Sequence, residues 1–220
     1  MGKNETSFRH VASETEIDGA SRFLSPYKKI VDEEKALQVA MDWREKGSQI
    51  VVADAVLDIP HYRHPDYFLV CANFGDKLLV RLATDELVAK AKNPEGTVVP
   101  WLERARHAAH YLYIDLIIPK KENGWNWVSE FRPSVIVNST TSPVFIIEQL
   151  LDDAARLTEM GIKLVALDEF AHQISFEELH EQCVLYNNKS RENKFSGTIL
   201  KEKIGERAIR AYQRSLAQAK

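Results

Sequence analysis

Two histidines set three residues apart, His61 and His64, stand in the segment Asp58-Ile-Pro-His61-Tyr-Arg63-His64-Pro65. The run before them, Gln49–Leu57 (QIVVADAVL), is short and β-branched, the pattern of a buried parallel strand. The run after them, His64–Phe74, reads as a helix ended by Gly75. His61 therefore falls in a turn and His64 in the first helical turn, where both rings can lie over the helix N-terminus. Backbone N–H groups and the positive end of the helix dipole make such a terminus a seat for phosphate. Two imidazoles there would stabilise negative charge on a polyphosphate as it is attacked and as its leaving group departs. Taken alone, an H-x-x-H pair also fits a surface position or a metal site, and no third ligand follows at clear metal spacing.

The rest of the chain supplies the elements that such a site needs. Asp32-Glu33-Glu34 starts an amphipathic helix that Gly47 closes. Further strands are predicted at Lys77–Leu82, Ile114–Ile118, Ser134–Val137 and Ile162–Leu167. Helices are predicted at Asp85–Lys92, Trp101–Tyr111, Trp125–Phe131, Pro143–Met160 and Thr198–Ala217. Short apolar strands alternating with helices imply an α/β fold, a Rossmann-like open parallel sheet of about five strands with helices on both faces. Ligands bind such sheets beyond the carboxyl ends of the strands, at the switch point.

Composition bounds the function. The 220 residues carry a formal charge of -3, without the basic excess of a nucleic-acid binder. No apolar run approaches the roughly 18 residues of a membrane span, and Met1–Ser7 opens polar with no apolar stretch behind it. Cys71 and Cys183 cannot make a disulfide framework. A cytoplasmic protein is expected. Residues 1–25 read as a polar arm, disordered or partner-binding, and 26–220 as one α/β domain.

In this order and spacing, residues from about 28 to 204 resemble the cytidylyltransferase-like nucleotidyltransferases. The nearest likeness is to heptose-phosphate adenylyltransferases and glycerol-phosphate cytidylyltransferases. Ala53-Asp54-Ala55-Val56-Leu57-Asp58-Ile59-Pro60-His61-Tyr62-Arg63-His64 stands where the family reads roughly T-N-G-C-F-D-L-L-H-x-G-H. Ala72–Asp76 (A-N-F-G-D) stands where the family reads A-x-x-x-G-D, one residue shorter, and Leu79-Val80-Arg81-Leu82 with Thr84-Asp85 stands for its second strand and Ser-Asp pair. Lys92, Pro100 and Glu103-Arg104 follow the family's K-x-P-like loop and E-x-R helix start, and Ser196-Gly197-Thr198 its late S-T-T helix start.

The resemblance implies nucleotidyl transfer: a phosphorylated small molecule, a sugar or polyol phosphate, attacks the α-phosphate of ATP or CTP, and pyrophosphate leaves. By that likeness His61 and His64 stabilise the transferring and leaving phosphates, and Ser196, Gly197 and Thr198 hold the outer phosphates. Asp85 lies beside the nucleotide, and Lys92 and Arg104 bring positive charge to phosphates or acceptor. Mg²⁺ is held largely by phosphate oxygens, with no protein metal site. No nucleic-acid or membrane partner is implied. A homodimer, common among similar proteins, would have the arm or Trp125–Trp127 as its candidate interface.

Departures from the family pattern cluster at strand ends. Arg63 replaces the glycine between the histidines and Arg81 the glycine of the second strand, while Asp54 sets an acid near the expected phosphates. Two readings follow. The arginines clamp phosphate or acceptor in an active enzyme, or they plug the pocket of a catalytically inactive homologue that binds nucleotide or protein. Ser139-Thr140-Thr141-Ser142 before Pro143 reads as an ordinary helix cap or as a second phosphate cradle. Asp168–Lys194, with His172, His180 and Cys183, reads as a surface cover or lid rather than a zinc site. Trp125 and Trp127 are expected to pack in a core or interface rather than stack on a base.

Overall fold

In the computed structural model, which describes residues 25–91, 96–139, 156–167 and 173–174, Asp32 accepts the Lys35 backbone N–H at 2.8 Å and so starts α1 (Glu33–Glu45). Gly47, at φ 79°, lets the chain fold back so that the Ser48 N–H reaches the Trp43 carbonyl at 2.9 Å. The elements that follow are β1 (Ile50–Ala55), α2 (Arg63–Ala72), β2 (Lys77–Ala83), α3 (Asp85–Ala91), α4 (Trp101–Ala109) and β3 (Leu116–Lys120). Then come α5 (Asn126–Phe131), β4 (Val135–Ser139), β5 (Lys163–Leu167) and a two-residue β6 (Gln173–Ile174).

Strands β1 to β5 are parallel, in the spatial order β3-β2-β1-β4-β5, and β6 joins antiparallel beside β5. This is a Rossmann-like open sheet. The chain steps outward from β1 to β3 and then restarts at β4 on the other side of β1. The order therefore reverses at β1 and β4, the switch point beyond which sheets of this kind bind ligands.

Alternation along the strands builds two cores. Val51, Ala53, Val80, Leu82 and Val137 face α2 and α4, meeting Phe68, Trp101 and Ala105. Ile50, Val52, Leu79, Ile118 and Ile136 face α1 and α5, meeting Ala36, Ala40, Trp127 and Phe131. Helices therefore cover both faces. Between α2 and β2 the chain passes so close to β1 that a Cβ on Gly75 would fall 2.8 Å from the Gln49 carbonyl oxygen and from Val51. The β3 edge is shielded by Ile30, which bridges Ile117, and by the Val31 N–H bonded to the Ile117 carbonyl at 3.1 Å.

Several expected boundaries shift for physical reasons. The first strand stops at Ala55 rather than Leu57, because Leu57 takes a left-handed backbone (φ 57°) that no strand accommodates. The third strand begins at Leu116 rather than Ile114, since Asp115 turns its carboxylate back to the Leu78 N–H at 2.9 Å. Residues 156–159 are helical, in keeping with the end of the long helix predicted at Pro143–Met160. The rest of that helix, the 1–24 part of the arm, the Thr198–Ala217 helix and all but residues 173–174 of the 168–194 cover lie outside the described residues. Among the described residues no helix is long and apolar enough to cross a membrane.

Candidate active site

The turn between β1 and α2 places the two histidines side by side. Their ring centroids lie 4.0 Å apart with planes tilted by 39°. The His61 backbone N–H donates to His64 Nδ1 at 3.1 Å, and the His64 N–H closes the turn onto the His61 carbonyl at 3.0 Å. Because Nδ1 of His64 accepts, its proton resides on Nε2, on the far side of the ring. No side chain caps α2. Its first turn nevertheless offers fewer donors than the sequence pattern suggests: the His64 N–H is spent within the turn, and Pro65 has none.

Both imidazoles are poised neutral. Burial and then the Arg63 charge lower the His61 pKa. Burial, with His61 and His107 as like-charged neighbours, brings His64 down to about 4, against a small opposing effect of its bond to the His61 backbone. The unfolded chain binds this proton near pH 6.5 and the folded chain only near pH 4, so protonation favours unfolding. Stability due to His64 is therefore complete above about pH 6.5 and falls away toward about pH 4, by up to about 3 kcal/mol. Denaturant midpoints measured across that interval should drop for the native chain and drop less for His64→Gln. Equal slopes for the two chains would reject the assignment.

Arg63 lies along the exposed Tyr62, its Nε 3.1 Å from the Tyr62 hydroxyl and its guanidinium 5.7 Å from that ring's centroid. Arg81 sits elsewhere, on the α1/α5 face of the sheet, 5% exposed, with its guanidinium 4.0 Å from the centroid of Trp127. Trp127 is thus a core residue, as its pattern suggested, but one that carries a cation on its face. Asp54, expected to repel phosphate, is charge-compensated: Lys120 Nζ lies 2.7 Å from its Oδ2 and Arg81 3.6 Å from its Oδ1. Burial opposes ionisation of Asp54, yet the charges of Arg81 and Lys120 and the Lys120 hydrogen bond outweigh it and hold the carboxyl below its ordinary value.

Arg104 and Asp85 come together, Arg104 inside the wall of the site and Asp85 partly exposed at its surface. Arg104 has no exposure. Its guanidinium donates to the carbonyls of Val99 at 2.9 Å, Ala83 at 2.8 Å and Val56, and to Asp85 Oδ1 at 2.6 Å. Arg104, expected to bring positive charge to phosphates or acceptor, has every guanidinium nitrogen bonded to the protein. Asp85 also accepts from Thr97 at 2.6 Å and the Trp101 N–H at 3.0 Å. Burial works against its charge, and these hydrogen bonds together with Arg104 overcome it. Lys92, Ser196, Gly197 and Thr198, like Thr140, Thr141 and Ser142, lie outside the described residues.

Asp58 is the contributor that residue types alone did not single out. Buried at 8% exposure, its Oδ1 accepts the Val98 and Val99 N–H groups at 2.8 and 2.9 Å, tying the histidine turn to the loop before α4. An acid three residues ahead of the first histidine was the visible signal; its partners, far along the chain, were not. Tyr67 adds a second tie, its hydroxyl donating to the Val137 carbonyl on β4 at 3.3 Å.

These carboxylates bear on magnesium. Asp54, Asp58 and Asp85 are each engaged by protein groups, and among the described residues no three His, Cys, Asp or Glu side chains converge to hold a metal ion.

The histidine turn at the carboxyl end of the central strand is accompanied by sequence relatives. The chain is 30% identical over 109 residues to the bifunctional protein HldE of Vibrio atlanticus, 31% over 109 residues to that of Vibrio vulnificus and 29% over 113 residues to that of Methylobacillus flagellatus. These matches cover 49%, 49% and 51% of this chain but only 23%, 22% and 23% of the relatives. The chain thus spans under a quarter of the length of the curated relatives it matches. No family model matches it. A crystal structure of the lipopolysaccharide core biosynthesis protein from Thermoplasma volcanium superposes with a TM-score of 0.47 at 21% identity, over 59% of this chain and all of that one. These matches to part of the HldE proteins agree with the resemblance of the chain to the cytidylyltransferase-like nucleotidyltransferases.

Proposed function

We propose that the chain transfers a nucleoside monophosphate from ATP or CTP to a phosphorylated small molecule, a sugar or polyol phosphate, releasing pyrophosphate. The observation that carries this reading is the pair of adjacent imidazoles, one with its tautomer fixed by the His61 N–H, at the carboxyl end of the central strand. An acceptor phosphate oxygen forms the new bond to the α-phosphorus as the bond to the β-phosphate oxygen breaks. Charge accumulates on the bridging and non-bridging oxygens, where a neutral imidazole N–H donates without first losing a proton. Positioning supplies the remainder. In this reading Lys92, Ser196, Gly197 and Thr198 hold the outer phosphates, magnesium enters bound to the triphosphate, and the Arg104–Asp85 pair keeps the wall in place.

The test is direct. The full chain incubated with magnesium, each nucleoside triphosphate and a panel of sugar and polyol phosphates should release pyrophosphate with one pairing, and release from none would overturn the reading. The competing reading, an inactive homologue, rests on Arg63 in place of glycine. Arg63→Gly separates the two: an arginine clamp predicts turnover reduced by about 10-fold or more, by analogy with loss of one charged hydrogen bond. A plug predicts a new melting-temperature rise with ATP or CTP, because only a native state that binds ligand is stabilised by it.

A further inference from the structure

We propose that Arg81 and Lys120 form a phosphate subsite for the acceptor, on the α1/α5 face of the sheet at the carboxyl ends of β2 and β3. The acceptor role rests on the nucleotidyl-transfer reading; the binding itself does not.

Two arginines are buried at this edge of the sheet, and their hydrogen-bond accounts are opposite. Arg104 is closed, with three carbonyls and a carboxylate on its nitrogens. Arg81 is 5% exposed, yet its side chain makes no hydrogen bond among the described residues. Its partners are the Trp127 ring beneath it and Asp54 Oδ1 at 3.6 Å, within ion-pair range but beyond a normal hydrogen bond. None of its nitrogens is among the fully buried unpartnered atoms, so the guanidinium keeps an edge that an acceptor can reach. Stacking on Trp127 fixes the plane of the group and leaves its N–H edge for an oxyanion.

The neighbouring geometry supplies the rest. Asp54 is the register partner of Arg81, and Ala83 that of Lys120, so the two cations rise from adjacent strands on either side of the acid's reach. Lys120 Nζ bonds Asp54 Oδ2 at 2.7 Å, while Oδ1 has no hydrogen bond. Asp54 occupies the place between two cations that an incoming anion would share or take; its side chain is 25% exposed, although the Oδ1 facing Arg81 is buried. Burial lowers the Arg81 pKa, and the charges of Asp54, Glu33 and Glu122 oppose that in part. A carboxylate would only duplicate Asp54. A phosphomonoester brings a second negative charge and a third oxygen, enough for the Arg81 fork and the Lys120 ammonium together.

The probes are inorganic phosphate and glycerol 3-phosphate, titrated into the full chain with melting temperature and calorimetry as readouts. The native chain should show a saturable response to at least one probe. Arg81→Met should weaken it at least 10-fold. Arg81→Lys, which keeps the charge and loses the fork, should weaken it less. Asp54→Asn, which removes the competing carboxylate and leaves Arg81 intact, should tighten it several-fold. The double variant His61→Ala/His64→Ala should keep the response. No saturable response in the native chain, an unchanged affinity in Arg81→Met, or unchanged or weaker binding in Asp54→Asn would overturn the subsite. Loss of the phosphate response in the double histidine variant would overturn it too, by moving the binding to the turn. Failure of nucleotidyl transfer would appear separately, as absent pyrophosphate release with phosphate binding retained.

Discussion

Replacing His64 by alanine should lower the rate of pyrophosphate release by about 10²–10³, the scale of losing one donor aimed at developing charge, and His61→Ala should do the same. The size follows from protonation and geometry together. Burial and neighbouring cations keep His61 and His64 neutral near pH 7, so what each contributes there is an N–H donor rather than a full charge. For His64 that donor is Nε2, because the His61 N–H occupies Nδ1. The interaction strengthens as the bond to pyrophosphate breaks, so the loss should fall on kcat more than on the KM for nucleotide. His64→Asn retains an N–H and should recover part of the rate. Steady-state pyrophosphate release on the native chain and the variants checks this, and unaltered kcat in either alanine variant would remove the histidines from the chemistry.

The second large effect falls on stability. Arg104→Met should cost about 3–5 kcal/mol, the usual consequence of deleting one member of a buried charge pair. Three backbone carbonyls and Asp85 lose their donor at once. The Asp85 side chain is 41% exposed, so water recovers part of its share, and the enclosed carbonyls carry most of the loss. Arg104→Lys keeps the charge but presents a point donor in place of a fork, and should recover less than half. Urea unfolding of the native and variant chains gives the comparison. A change under about 1 kcal/mol for Arg104→Met would show that the network contributes little.

How much of this was legible beforehand differs by element. The parallel sheet could be read because Ile50–Val52, Leu78–Val80 and Ile117–Ile118 are continuous apolar runs, and strands buried on both faces demand that. The end of β1 was misread because Leu57 is as apolar and compatible with a strand as its neighbours; nothing in its residue type announces a positive φ. At the site, the histidine pair was visible because its spacing and its place after a strand are local facts. The fates of Arg81 and Arg104 were not. Each is a long basic side chain at a strand or helix end, and what separates a committed guanidinium from an available one is the set of partners brought in from other elements. Asp58 stayed hidden for the same reason, since its two amide donors belong to a loop beyond α3.

That carboxylate also couples two pieces of the molecule mechanically. Because a single oxygen of Asp58 grips consecutive amides of the Val98-Val99 stretch, and the Arg104 fork grasps the carbonyls of both Val56 and Val99, the imidazole-bearing bend and the approach to α4 travel as one rigid jaw. An incoming molecule that displaces either part must carry the other with it, so accommodation of bulkier guests has to come from the opposite rim.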